Sequence, residues 1–276
     1  MIEILLSTYN GAQYLGEQLD SIISQTNHDW HLTIRDDGST DSTPQIIGQY
    51  ITQYPTLISL NPTSGKNLGV ISSFEQLLAH AHADYFMLCD QDDVWLPEKI
   101  ESTYLAMQRL EQQHGVTTPI LIHTDLAVAD EAKNVVGDSF WRFANIRPDI
   151  LNNNIKYLAV CNSATGCTIM LNSACRLAAL PFPATILMHD AWLAFVACRQ
   201  GVIEGLDHPT ILYRQHNNNT LGANRYSHNP LKKIMNLSRV LDEVPKIYAA
   251  CPGVFKNKLD VFITKVKYSS ILFFST

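Results

Sequence analysis

The sequence predicts an α/β protein: a mostly parallel sheet flanked by helices, followed by a helical, basic C-terminal extension. Three observations carry this. Short apolar runs alternate with longer stretches of helical spacing through the first half of the chain. Each apolar run there ends in a polar cluster of Asp, Asn, Gly or Ser/Thr. Residues 230–276 change character, joining an apolar stripe to an excess of lysine.

The elements follow in order. IEILLS (2–7) reads as a first strand, and Tyr14 to Gln25 as a helix with apolar residues at 15, 19, 22 and 23. HLTIRDD (31–37) is a second strand. STDSTPQIIGQY opens a helix with Ser, Thr and Asp to cap it. LISL (57–60) is a third strand, Ser72 to Ala81 a helix, and DYFMLCD (84–90) a fourth strand. Pro97 suits the first turn of a long helix, where its missing N–H costs nothing. PILIHTD (119–125) is a fifth strand. Beyond residue 150 the alternation fades. ATGCTIML (164–171) reads as a strand, 186–201 as a helix ending at Gly201, and 201–216 as short strands. The tail stripe is Leu231, Ile234, Leu237, Leu241 and Val244. Residues 1–229 therefore form the main domain, and 230–276 is the extension.

Composition narrows the class of protein. With 276 residues and 46% hydrophobic content the chain can bury a sizeable core. No 18-residue apolar window is present, so a spanning helix is not expected. The N-terminus reads as a strand rather than a signal peptide. Six cysteines lack CxxC or zinc-like spacing and are expected as reduced thiols of a cytoplasmic protein. The net charge of −6 is uneven: residues 230–276 hold eight Lys/Arg against three acids, about +5, which leaves about −11 on the body. An acidic body argues against nucleic acid, and a basic tail suggests an anionic surface.

The chemistry concentrates where strands end. STYNG, RDDGSTD, NLG, DQDD and HTD follow strands one to five, the edge where open α/β sheets bind ligands. Any one cluster is accounted for by turn preference; five in series are not. DQDD sets Asp90, Asp92 and Asp93 within four positions. Carboxylates that close raise each other's pKa. A divalent cation carrying a diphosphate supplies the missing charge, since hard oxygen ligands suit Mg²⁺ or Mn²⁺. Attraction to the N-terminus of the helix starting near Pro97 explains Asp93 but not Asp90. No Walker loop or GxGxxG is present, so a glycine cradle does not hold the phosphates. Trp95, Trp141 and His123 read as packed residues. Asp125 ends strand five, within reach of an acceptor. Asp190, at a helix start beside His189 and Trp192, reads two ways, as a helix cap or as a base, and Trp192 offers a face for a ligand ring to stack on. Arg214 and His216 sit in an Asn-rich stretch that reads either as a surface loop or as one that steadies a diphosphate and reaches the metal.

Together STYNG, IRDDGSTDST, KNLGVISSF and DQDDVWLP, in this order, resemble family 2 glycosyltransferases of the GT-A, Rossmann-like fold. The resemblance extends over residues 2–216 and through HTDLAVAD, GCTIML, MHDAWL and YRQHNNNTLG, nearest the bacterial rhamnosyltransferase-like branch that makes surface polysaccharide. It implies a nucleotide-binding half at about 1–125, an acceptor half at about 126–229, and a nucleotide pocket of Ser7, Tyr9, Asp36 and Asp37. It implies that Lys66 and Asn67 reach the nucleotide or diphosphate, that Asp90 meets the ribose or metal, that Asp92 is the direct metal ligand, and that Asp190 is the general base. His189 stands where the family's commonest pair has Glu, and its role is left open. The resemblance implies inverting transfer of a sugar, with L-rhamnose from dTDP-rhamnose as one candidate, from a nucleotide-diphosphate donor to a hydroxyl of a growing, lipid-linked cell-surface glycan. The expected enzyme is cytoplasmic and peripheral to the inner face of the plasma membrane. A nucleotidyltransferase would carry a Gly-rich N-terminal loop, absent here; a non-catalytic nucleotide-sugar-binding scaffold would have lost the metal carboxylate or the base.

Overall fold

The computed structural model describes residues 1–216 and 237–274. One sheet runs in the order β3-β2-β1-β4-β8-β6-β9-β5, with β7 (Val135–Gly137) paired to the side of β6. Strands β1 (Ile2–Thr8), β2 (Trp30–Asp36), β3 (Ile58–Leu60) and β4 (Tyr85–Cys89) are mutually parallel. Beyond β4 the sheet mixes. β8 (Met170–Asn172) is antiparallel to both β4 and β6 (Ile120–Ala129), while β9 (Val202–Arg214) runs parallel to β6 and antiparallel to β5 (Val94–Trp95).

The continuous apolar runs of these strands are explained by burial on both faces. Side chains alternate: Ile4, Leu6, Met87, Cys89, Ile120 and Ile122 face one layer, and Leu5, Phe86, Leu88 and Leu121 the other. The first layer is covered by α1 (Leu15–Ile23), α2 (Thr43–Gln53) and α4 (Lys99–His114). The second is covered by α3 (Val70–His80), α7 (Ile155–Val160), α8 (Ser173–Ala179) and α9 (His189–Gln200). α5 (Phe140–Ala144) and α6 (Pro148–Leu151) lie between β7 and α7. The C-terminal helices α10 (Leu237–Ala250) and α11 (Lys258–Phe274) add a smaller apolar cluster built on Phe195, Val244, Ile247 and Val261.

Most of the expected elements form within two residues of their predicted ends; four readings change. Residues 164–171 are not one strand: Thr168 N and Ile169 N bond back to Thr165 O and Gly166 O, so a 3₁₀ turn occupies 166–168 before β8. The short strands expected over 201–216 are one 13-residue strand, β9. Register shifts around Asp125 absorb its Pro209 in the ladder with β6. Asp93 does not lie at the helix start, because β5 intervenes before Lys99. In the tail, Val244, Ile247 and Ala250 form the buried face while Leu241 is 55% exposed; Leu231 and Ile234 lie outside the described residues, as does the 229/230 boundary.

β9 begins against Pro119 with almost no clearance: a Cβ on Gly201 would lie 1.9 Å from Pro119 O. Gly201→Ala must push the two backbones apart, and a loss of about 2 kcal/mol is expected, within the range of overpacked sites. Urea denaturation of the variant against the parent measures it.

Candidate active site

The parallel strands order themselves around β1, with β2 on one side and β4 on the other. This is the point where strand order reverses, and open α/β sheets carry their ligand crevice there. A cavity of about 360 Å³ opens at the carboxyl ends of these strands. Ser7 and Tyr9 reach it from β1, Asp37 from β2, and Asp90 and Asp92 from β4; Asn67 comes from the loop before α3, and Asp190 from α9.

Each contributor is held by local structure. Asp37 N bonds Thr8 O at 2.8 Å, tying the ends of β1 and β2. The Asp37 carboxylate is buried and meets the equally buried Arg35 guanidinium at 2.5 Å; it also accepts from Leu68 N at 2.7 Å and Gly69 N at 2.9 Å. Burial would raise this carboxyl, but Arg35 and the two amides outweigh it and hold it below the usual range. Gly38 takes φ +82°, and a Cβ there would press Asn67 N at 3.1 Å, so the DDGS turn and the NLG loop depend on this glycine.

On the other side Gln91 fastens the acidic loop to β1. Its Oε1 accepts from Thr8 Oγ1 at 2.6 Å and Tyr9 N at 2.8 Å, and its Nε2 donates to Tyr9 O at 3.2 Å. A Cβ at Gly11 would collide with this amide at 2.2 Å. Sequence reading missed Gln91, because nothing in DQDD says that the amide turns back onto β1.

The carboxylates differ sharply. Asp90 is raised to about 7, by burial first and then by Asp92 and Asp190. Asp190 is raised to about 6 by burial, against the pull of amides that include Ala191 N and Gly166 N. Asp93 is fully buried, and burial, then Asp92 and Asp90, push it well above the carboxylate range. Asp92 accepts from the His216 ring at 2.9 Å, and that ring stacks on Tyr14. His189 packs against Phe74 with ring centroids 4.1 Å apart, and burial pushes its imidazole down to about 3, so it is a neutral wall residue.

A divalent cation fits this donor set. Asp90 and Asp92 present hard oxygens at the cavity, His216 stands on Asp92, and the crowding that raises Asp90 to about 7 is what added positive charge would relieve. Ligand atoms of Asp90, Asp93 and Cys167 also lie within 4.8 Å of one another. That trio suits the ion poorly, because burial raises the Cys167 thiol and keeps it protonated.

Other expected site residues stand off the wall. Asp36 accepts from Ser39 N and Oγ beside the cavity, and Lys66 is exposed on the neighbouring loop. Asp125 is 1% exposed because β6 runs on past it, and its carboxylate takes Ser139 Oγ, Phe140 N and Trp141 N at the start of α5. Trp192 donates to Ala179 O and stacks on Phe195. Arg214 is 4% exposed and joins Glu17, Asp92 O and Glu131 O. In this structure none of these three reaches the cavity. Thr165, Gly166, Met188 and Tyr213, not foreseen, do line it.

The fold and site define a class. The structure superposes on TarS of S. aureus in complex with UDP-GlcNAc at TM-score 0.58 and 15% identity, covering 90% of this chain and 71% of that one. It superposes on the mannosyltransferase PcManGT from Pyrobaculum calidifontis in complex with GDP-Man and Mn²⁺ at TM-score 0.53 and 17% identity, covering 78% of this chain and 56% of that one. The fold is that of GT-A glycosyltransferases. The sequence supplies the family: residues 3–176 match glycosyl transferase family 2, to which the chain belongs. A dTDP-rhamnosyl transferase of Shigella flexneri, RfbG, is 27% identical over 235 residues, which is 79% of this chain and 74% of that protein.

Arg35→Met strands the buried Asp37 carboxylate, and a loss of about 3–5 kcal/mol is expected. Because the Asp37 carboxyl is held low, its contribution is complete above the unfolded pKa and disappears as pH falls through the lower folded value. Denaturation curves from pH 7 downward show the parent losing this part on acidification, while Arg35→Met lacks it throughout. Gln91→Ala removes three bonds between the acidic loop and β1; about 1–3 kcal/mol is expected, read by chemical denaturation.

Proposed function

We propose that this glycosyltransferase is an inverting, metal-dependent enzyme that moves one sugar from a nucleotide-diphosphate donor to a hydroxyl of a growing glycan. The observation that carries the reading is Asp190. Its carboxyl opens on the same cavity as Asp37, Asp90 and Asp92 and is poised at about 6, a useful strength for a base at neutral pH.

Each residue has a task in this reading. Ser7, Tyr9, Asp37 and Asn67 hold the nucleotide at the switch point, with Asp36 and Lys66 at its edge. Asp90 and Asp92, with His216, hold a divalent cation, Mg²⁺ or Mn²⁺, which when bound supplies positive charge for the departing diphosphate. Asp190 takes the proton of the acceptor hydroxyl as it attacks the anomeric carbon. Asp125, Trp192 and Arg214 take supporting roles: each braces an element behind the site. The Shigella relative supports dTDP-L-rhamnose as donor, and inversion of a β-linked donor gives an α-linked product. A lipid-linked acceptor places the enzyme at the inner face of the plasma membrane. No helix among the described residues is long and apolar enough to cross it.

A thermal-shift screen of dTDP- and UDP-sugars with and without Mn²⁺ tests the donor and the metal together, since a ligand of the native state raises Tm by mass action. One nucleotide sugar is expected to stabilise the protein only with metal, and Asp92→Ala to abolish the shift; no shift under any condition overturns the reading. Asp190→Asn is expected to keep the donor shift and lose transfer by about 10²–10⁴-fold, the usual value of a positioned base. In the parent, kcat rises with pH through about 6 as Asp190 loses its proton, whereas a flat profile from pH 5 to 8 removes Asp190 from the base role.

A further inference from the structure

The helix α11, KLDVFITKVKYSSILFF, carries apolar residues on two faces. Here one side packs on the body through Val261, Thr264, Tyr268 and Leu272, all buried. On the opposite side Leu259, Ile263 and Val266, spaced four and three apart, are 63%, 42% and 49% exposed. These spacings place them in one stripe along the helix. The helix packed beside it repeats the arrangement. α10 buries Val244, Ile247 and Ala250, while Leu241 at 55%, Pro245 and Tyr248 at 36% form its outward stripe. Two neighbouring helices therefore each turn a short apolar ridge away from the protein.

Charge says what covers these ridges. Lys246, Lys256, Lys258 and Lys267 are exposed on the same two helices and the turn between them. The acids there are mostly occupied within the fold. Glu243 pairs with Lys265, and Asp260 bonds Lys156 at 2.8 Å and accepts from Lys256 N at 3.0 Å. Asp242 is the exposed exception among the described residues of the pair. A cationic, apolar-ridged surface on a body of opposite charge complements an anionic lipid layer: the ridges enter the headgroup region and the lysines meet phosphate.

We propose that α10 and α11 form a membrane-docking face for an anionic bilayer, with Leu241, Tyr248, Leu259, Ile263 and Val266 as the inserting residues and Lys246, Lys256, Lys258 and Lys267 as the electrostatic contacts. This rests on the membrane-face placement proposed above and gives it residues. It also gives a lipid-linked acceptor a reason to meet the enzyme, since docking confines both to one surface.

Co-sedimentation of the full chain with vesicles tests it without turnover, so its outcome is independent of the catalytic reading. Binding is expected to mixed phosphatidylcholine–phosphatidylglycerol vesicles, absent with phosphatidylcholine alone, and weakened by salt. Lys258→Glu with Lys267→Glu is expected to lower the partition coefficient by at least about tenfold. Leu259→Gln with Ile263→Asn is expected to remove the part of binding that survives salt. All four positions are exposed, so Tm and donor hydrolysis are expected to stay at parental values in both variants. Folded protein that ignores anionic vesicles overturns the proposal, as does binding that neither variant alters. Elution as a dimer that Leu259→Gln with Ile263→Asn converts to monomer assigns the face to a second copy and overturns it as well.

Discussion

Carboxylates crowd one cavity in this protein, and the rest of the site is arranged around how their charge is carried. Asp37, Asp90, Asp92 and Asp190 line the same space, with Asp93 buried behind them. Removing a carboxylate from water is costly unless something compensates it. The fold answers differently at each position. Asp37 receives a guanidinium and two amides, Asp92 receives an imidazole, and Asp190 receives amides too few to offset burial. Asp90 receives nothing equivalent among the described residues and is raised to about 7. The fixed partners hold Asp37 and Asp92 in place at the pocket wall, while burial leaves Asp90 and Asp190 raised, to about 7 and about 6, on the same cavity.

The same logic explains where cations sit inside the fold. Arg35 is wholly buried, yet its guanidinium reaches Asp37, Ser73 Oγ, Thr63 and Lys66 O, so one side chain pins the DDGS turn to the loop that precedes α3. Arg214 does comparable work on the opposite side, joining β9 to α1 and to the acidic loop. Lys99 is also fully buried, with its ammonium 4.7 Å above the Trp95 ring, and burial lowers it to about 8. The two arginines keep the strand ends and the DQDD loop in register.

The C-terminal helices obey a separate constraint. Their inner faces complete the core begun by α7 and α9, through Val244, Ile247 and Val261 against Phe195. Their outer faces keep apolar ridges that an isolated soluble domain has no use for. The strand-end cavity and the outward face of the tail thus occupy different elements.

Much of this was legible in the sequence. Alternating apolar runs and helical spacing determine the α/β layers, because a strand buried on both faces has to be apolar throughout and its covering helices have to be amphipathic. The order STYNG, DDGSTD, NLG, DQDD, MHDAW determines the family resemblance and most of the cavity wall, since strand ends in a parallel sheet converge on one edge. Tertiary structure decided what spacing does not encode. Asp125 ends a polar cluster just as Asp90 does, but β6 continues past it and turns it into a cap for α5. Trp192 lies two residues from Asp190, yet the turn of α9 sends it to Ala179 instead of the cavity. Gln91 ties β1 to β4, and Gly11 leaves it room, through contacts about 80 residues apart in the chain. Partners separate the two carboxylates: Asp125 is taken up by Ser139 Oγ and two amides at the start of α5, whereas Asp190 opens on the cavity, and no local window of sequence contains what the rest of the chain packs against each.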